Sequence, residues 1–155
     1  MSGSLQQRIK QSQPFASTET EAYLCLIEIG QDLAAGVSDL LKTCDLSMPQ
    51  YNALRILRGA GEVGLPCGGL AERMIHRVPD VTRLLDRLES RGLVTRRREA
   101  GDRRVVRVWI SEPGLKAIAP LDEALVDLHR KQLGHLGERK LRQLIRLIEE
   151  ARAGL

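Results

Sequence analysis

The segment 79–110, PDVTRLLDRLESRGLVTRRREAGDRRVVRVWI, constrains the fold more than any other part of the chain. Its first third carries apolar residues at helical spacing and runs to Gly92, a helix-stop signal. Pro79 has the fixed φ that suits a first helical position. The last third alternates: Val106, Val108 and Ile110 interleave with Val105, Arg107 and Trp109, the period of two of a strand. Strands are expected over 93–98 and 104–110. Glu99-Ala100-Gly101-Asp102 forms the turn between them, with Gly101 free to take positive φ. Helix, stop, strand, tight basic loop and second strand read as a recognition helix followed by a wing.

Charge supports that reading through its placement. Residues 73–107 hold eleven arginines against five acids, although the whole chain carries a net charge of only +4. Local arginine excess on a compact helix–hairpin unit is the electrostatic footprint of phosphate binding. The bland alternative is a solvated face with ion pairs one helical turn apart.

Helix signals flank this unit on both sides. Thr18-Glu19-Thr20-Glu21 fits a capping box, with Thr18 as N-cap, and opens a long helix to about Lys42. Its apolar residues cover a wide arc, so it packs against more than one neighbour. Ser47-Met48-Pro49-Gln50 is a second start, with Ser47 as cap; that helix stops at Gly59 and Gly61. A short helix is expected over about 68–75. Ser111 caps one further helix, which carries Leu115, Ile118, Leu121, Leu125 and Leu128; residues 134–137 break it. Leu141, Leu144, Ile145 and Ile148 mark the last amphipathic helix. The fold class is therefore mainly α with a small β-hairpin, a winged helix-turn-helix, in one domain of 155 residues. Residues 1–17 are polar and expected as a flexible tail.

Several functions are excluded. No run of about 18 apolar residues exists, so no membrane span and no membrane partner is expected. The first fifteen residues lack the apolar stretch of a secretory signal. Cys25, Cys44 and Cys67 are odd in number and widely spaced, which argues for a reducing cytoplasm and against a disulfide framework or a zinc site. No Ser/His/Asp spacing, glycine-rich phosphate loop or HExxH motif occurs, and His76, His129 and His135 are scattered. The chain is expected to be no enzyme and to carry no cofactor or metal. No Arg, Lys or His stands near Cys25 in sequence to activate it, so it reads as an apolar packer.

In helix-turn-helix docking, the N-terminal end of the second helix reaches furthest into the major groove. That selects Arg77, Val78, Asp80, Thr82 and Arg83, with Arg87 one turn on from Arg83. Arg pairs with guanine, Asp accepts from cytosine, and Thr reaches a phosphate or a thymine methyl. Leu84, Leu85 and Leu88 fall on the opposite side and are expected in the core. At the hairpin tip, Arg103 and Arg104 suit a narrow minor groove, with Asp102 placed to orient a guanidinium.

Four segments resemble the MarR family of bacterial transcription regulators: SMPQYNALRIL, LAERM, VTRLLDRLESRGLV and DRRVVRVWISEPG. With the flanking helices the resemblance covers about 18–153. It implies a winged helix-turn-helix lobe over 47–110, inside a homodimer built from helices at 18–43 and 111–153. It carries the major-groove positions onto residues 77–83, the wing arginine onto Arg104 and its partner onto Asp102. The chain departs from the family pattern at Val78-Pro79 and at Gly68-Gly69. The implied partners are double-stranded DNA, a second copy of the chain and a small lipophilic or aromatic effector. The implied function is a ligand-responsive repressor on a pseudo-palindromic operator. Two alternatives stand beside it: a thiol redox-sensing regulator on the same fold, and a winged-helix protein-interaction module with no DNA role.

Overall fold

A computed structural model of the chain describes residues 4–75, 79–99 and 105–155. The chain divides into two units, Met1–Gly36 and Val37–Leu155.

In the first unit, helix α1 (Leu5–Arg8) precedes the long α2 (Thr18–Lys42), which continues past the unit's end. Where the composition suggests a tail, α1 buries Leu5 and holds α2 through a two-pronged Arg8–Glu28 ion pair. The α2 cap sits one residue earlier than expected. Ser17 Oγ accepts from the Thr20 N–H at 3.2 Å, and Ser17 O accepts from the Glu21 N–H. Ser17, not Thr18, therefore occupies the position whose hydroxyl satisfies the orphan N–H groups of the first turn.

The second unit begins with the last turns of α2 and holds the core. Helix α3 (Met48–Ala60) starts at Ser47, which with Gln50 makes the expected reciprocal cap: the Ser47 N–H donates to Gln50 Oε1 at 2.9 Å, and the Gln50 N–H to Ser47 Oγ. A 3₁₀ turn, Gly61–Val63, leads to strand β1 (Leu65–Pro66), then α4 (Cys67–Arg73), α5 (Val81–Ser90), β2 (Val94–Arg98) and β3 (Val106–Ile110). The strands form an antiparallel sheet in the order β1-β3-β2. Strand β1 is absent from the sequence reading because two residues show no period; Pro66, which cannot donate to a ladder, sits where a sheet tolerates it, on the edge.

Leu54, Leu57, Leu70, Leu85, Leu88, Val94, Val108, Ile118 and Leu121 are sealed from solvent and form one cluster that joins α3, α4, α5, the sheet and the helices that follow. Next come α6 (Glu112–Ile118), α7 (Leu121–Leu133), a 3₁₀ turn at Gly134–Leu136, and α8 (Gly137–Ala153). The sequence period predicts one helix where α6 and α7 stand. Pro120 divides them, because a proline inside a helix lacks the N–H for the ladder and collides with the preceding turn.

Arg58 on α3 clasps Asp122 on α7 with two hydrogen bonds, 2.9 and 2.7 Å. The Arg58 hydrogen bonds, reinforced by its charge, hold the Asp122 carboxyl below its ordinary range. A carboxyl depressed in the folded state contributes stability above its unfolded pKa of about 3.9 and loses it as pH falls through the lower folded value. Acid melts of Asp122→Asn are therefore expected to lose less stability than wild type as pH falls below about 4. Parallel melting curves for the two proteins would sink this assignment. Asp122 is half exposed, so the difference is small.

Candidate nucleic-acid interface

Helix α5 starts two residues later than Pro79 implies. Asp80 is its N-cap: Oδ1 accepts from the Arg83 N–H at 2.9 Å, and Oδ2 lies 3.2 Å from Arg83 Nε. The carboxylate assigned to base readout thus also starts the helix. Replacing Asp80 by Ala is expected to cost about 1 kcal/mol of stability; an unchanged urea midpoint would contradict the cap.

Helix α5 ends as expected at Gly92 (φ +69°). The Gly92 N–H donates to Glu89 O at 2.8 Å and the Leu93 N–H to Leu88 O at 2.9 Å, the paired bonds of a Schellman stop. This stop turns the chain into β2 with Val94 already in the core.

Between its caps, α5 is two-faced. Leu84, Leu85 and Leu88 are buried, as expected. At about 3.6 residues per turn, Arg83, Asp86 and Ser90 come to the middle of the exposed face, with Arg87 on one flank and Thr82 and Glu89 on the other. Thr82, Arg83 and Arg87 are all exposed, so the structure brings three of the sequence candidates onto one accessible surface. Arg77, Val78, Asp102, Arg103 and Arg104 lie outside the described residues, as does His76. The wing is described up to the Glu99 N–H, which donates to Val105 O at 3.0 Å. Its strands pair from Val94↔Ile110 to Arg98↔Val106.

The arginines counted in the sequence do not all serve one purpose. Arg91 ties the end of α5 to Asp45, bonding its carbonyl at 2.7 Å and its carboxylate at 3.1 Å. Arg107 bridges Glu99 Oε1 (2.9 Å) and Val63 O (3.2 Å). Arg96 is held by Asp86 and Glu89. Among the described residues of this region, Arg73, Arg87, Arg97 and Arg98 are exposed with no acidic partner. Their positive charge is not offset by an acid among the described residues.

Cys67 opens α4. Burial pushes its thiol up, against the pull of Arg96, so the reactive thiolate is disfavoured. Cys25, on α2, is a free cysteine and half-buried. No helix among the described residues is long and apolar enough to cross a membrane, and none of their side chains cluster as a metal site.

A two-faced helix following a short helix, backed by a three-stranded sheet whose last two strands form a hairpin, defines a winged helix-turn-helix protein. The MarR family model matches residues 46–106. A crystal structure of a MarR transcription factor from Planctomyces limnophilus is 41% identical, covers 88% of this chain and 98% of that one, and superposes with a TM-score of 0.68. The chain belongs to the MarR family of transcription regulators. The HTH-type transcriptional repressor IacR of Pseudomonas putida is 30% identical over 110 residues, 71% of this chain and 65%, just under two thirds, of that protein's length. The S. aureus MepR–DNA complex shares the fold, at 21% identity and a TM-score of 0.78 over 86% of this chain and 97% of that one.

Proposed function

We propose that this chain binds duplex DNA as a homodimer and represses transcription from a pseudo-palindromic operator until an effector releases it. The observation that carries the reading is the α5 surface. Thr82, Arg83 and Arg87 stand exposed on a helix whose opposite face is fixed in the core. Asp80, Arg77, Val78 and the wing residues Asp102, Arg103 and Arg104 complete the proposed contact set. MepR was solved on DNA and IacR is a repressor, which supports the same reading here.

Homodimerisation is supported by apolar surface on terminal helices. On α2, Tyr23, Leu26, Ile27 and Ile29 are exposed; on α8, Leu144, Ile145, Leu147 and Ile148 are. Apolar stripes of this kind mark protein contacts, and a two-fold axis lets one patch meet itself. Sedimentation at micromolar concentration is expected to give twice the chain mass; a monomer would remove the dimer from the proposal. Two recognition helices then reach successive major grooves about 34 Å apart. A small lipophilic or aromatic acid that prefers a dimer with other spacing lowers operator affinity by shifting the population. Operator affinity that no such compound changes would leave this half without support.

The deciding experiment is fluorescence anisotropy on the DNA upstream of the chain's own gene, across a salt series, for wild type and Arg104→Ala. Tight binding with a steep negative salt dependence, weakened in the variant, is expected. Weak, salt-insensitive binding would favour the protein-interaction module.

The alternative reading is a thiol switch at Cys25, a free cysteine on α2. It requires that oxidant release DNA from wild type and not from Cys25→Ser.

A further inference from the structure

Arg96 occupies an unusual place in the sheet. Strand β2 alternates, so Val94, Arg96 and Arg98 share one face. Val94 on that face is in the core, and Arg96, directly opposite the sealed Val108, turns toward α5. Its side chain is largely covered, 22% exposed. Nε donates to Glu89 Oε2 at 2.9 Å, and Nη2 donates to Asp86 Oδ1 at 2.6 Å and also to Glu89. One wing arginine thus holds two carboxylates of the helix proposed to enter the groove.

The placement of those carboxylates gives the contact its meaning. Asp86 lies at the middle of the exposed face of α5, about one turn on from Arg83 and next to Arg87 in the chain, and Glu89 lies on its flank. Unpaired, both would face the phosphates that Arg83 and Arg87 attract. Like charges brought together at an interface oppose binding.

We propose that Arg96 is a positioning residue for DNA binding, which keeps the groove-facing surface of α5 basic by covering Asp86 and Glu89 and tying them to the wing. The proposal rests on the DNA-binding reading above. It differs from a phosphate contact by Arg96 itself, because Arg96 acts through the two acids.

The test is a mutant cycle on the full chain, read as anisotropy on the same duplex, with thermal melts confirming folding. Arg96→Met is expected to weaken binding about tenfold. Asp86→Asn with Glu89→Gln is expected to change affinity by less than about threefold while Arg96 is present, and to recover most of the loss when Arg96 is Met. The same factor in both backgrounds would mean that Arg96 and the acids act independently and would overturn the proposal. So would an Arg96→Met protein that binds like wild type. Should Arg96→Met not fold, the acids decide on their own: Asp86→Asn with Glu89→Gln raising affinity more than about threefold in the presence of Arg96 means that Arg96 does not cover them and overturns the proposal, and a smaller change supports it. A wild type whose binding ignores salt overturns the DNA reading itself, and the role of Arg96 with it.

Discussion

A Gly114→Ala protein is expected to melt about 6–12 °C below wild type, a loss of about 3 kcal/mol. Gly114 lies in the first turn of α6, where its N–H donates to the cap Ser111 Oγ at 3.1 Å. A Cβ there would sit 2.2 Å from Leu93 O and 2.8 Å from Ile110 Cγ1. The carbonyl is backbone and cannot rotate aside. It also accepts the Ser111 N–H at 3.0 Å, and Leu93 itself is pinned by the Schellman stop of α5. Relief would therefore have to move the start of α6, the end of α5 or the entry to β2 together. A core this tightly packed transmits such a displacement. Calorimetry checks the claim, and a shift under about 2 °C would show that the site yields more easily than its geometry implies.

The second large effect is on binding, with folding spared. Arg83→Ala combined with Arg87→Ala is expected to weaken operator binding about a hundredfold or more, at about 1–3 kcal/mol per lost contact. Melting should hold steady. Both side chains are exposed, and the Arg83–Asp80 ion pair is a surface pair of little worth. The α5 cap survives because Asp80 accepts from the backbone N–H of residue 83, which Ala retains. The pair of measurements separates roles that a single one would blur. Lost affinity with unchanged melting assigns the arginines to the interface; lost melting alone assigns them to the fold; neither change would remove them from both.

The parts of the fold that depend on local chemistry were legible. Ser47 with Gln50, Ser111, Gly92, the leucines of α5 and the alternation in β3 all act within a few residues of themselves, so their signals survive in a linear reading. What went unread was non-local or counter-signalled. Thr18 has the composition of a cap, and Ser17 takes the place through the geometry of the chain entry. Leu115 to Leu128 keep an apolar period through Pro120, which hid the break. Strand β1 exists because β3 offers it an edge. The arginines show the limit most clearly: their count fitted phosphate binding and solvated ion pairs alike and assigned neither role to any one of them. Arg91, Arg96 and Arg107 find acids or carbonyls at positions 45, 86, 89, 99 and 63. Nothing in spacing alone marks which guanidinium is taken. The pairing of Arg8 with Glu28 is hidden for the same reason.

The order β1-β3-β2 also bears on how the protein avoids aggregation. An open strand edge is a template on which another chain can grow. The mostly apolar strand β3 lies in the middle, paired along its whole length by β2 on one edge and at Arg107 and Val108 by β1 on the other. On one side, β1 is only two residues long and ends in Pro66, which leaves almost no ladder to extend. On the other, the outer strand β2 carries Arg96, Arg97 and Arg98 in a row, and a second copy laid alongside would set arginines against arginines. A sheet small enough to serve as a wing is thereby also one that resists becoming the seed of a larger sheet.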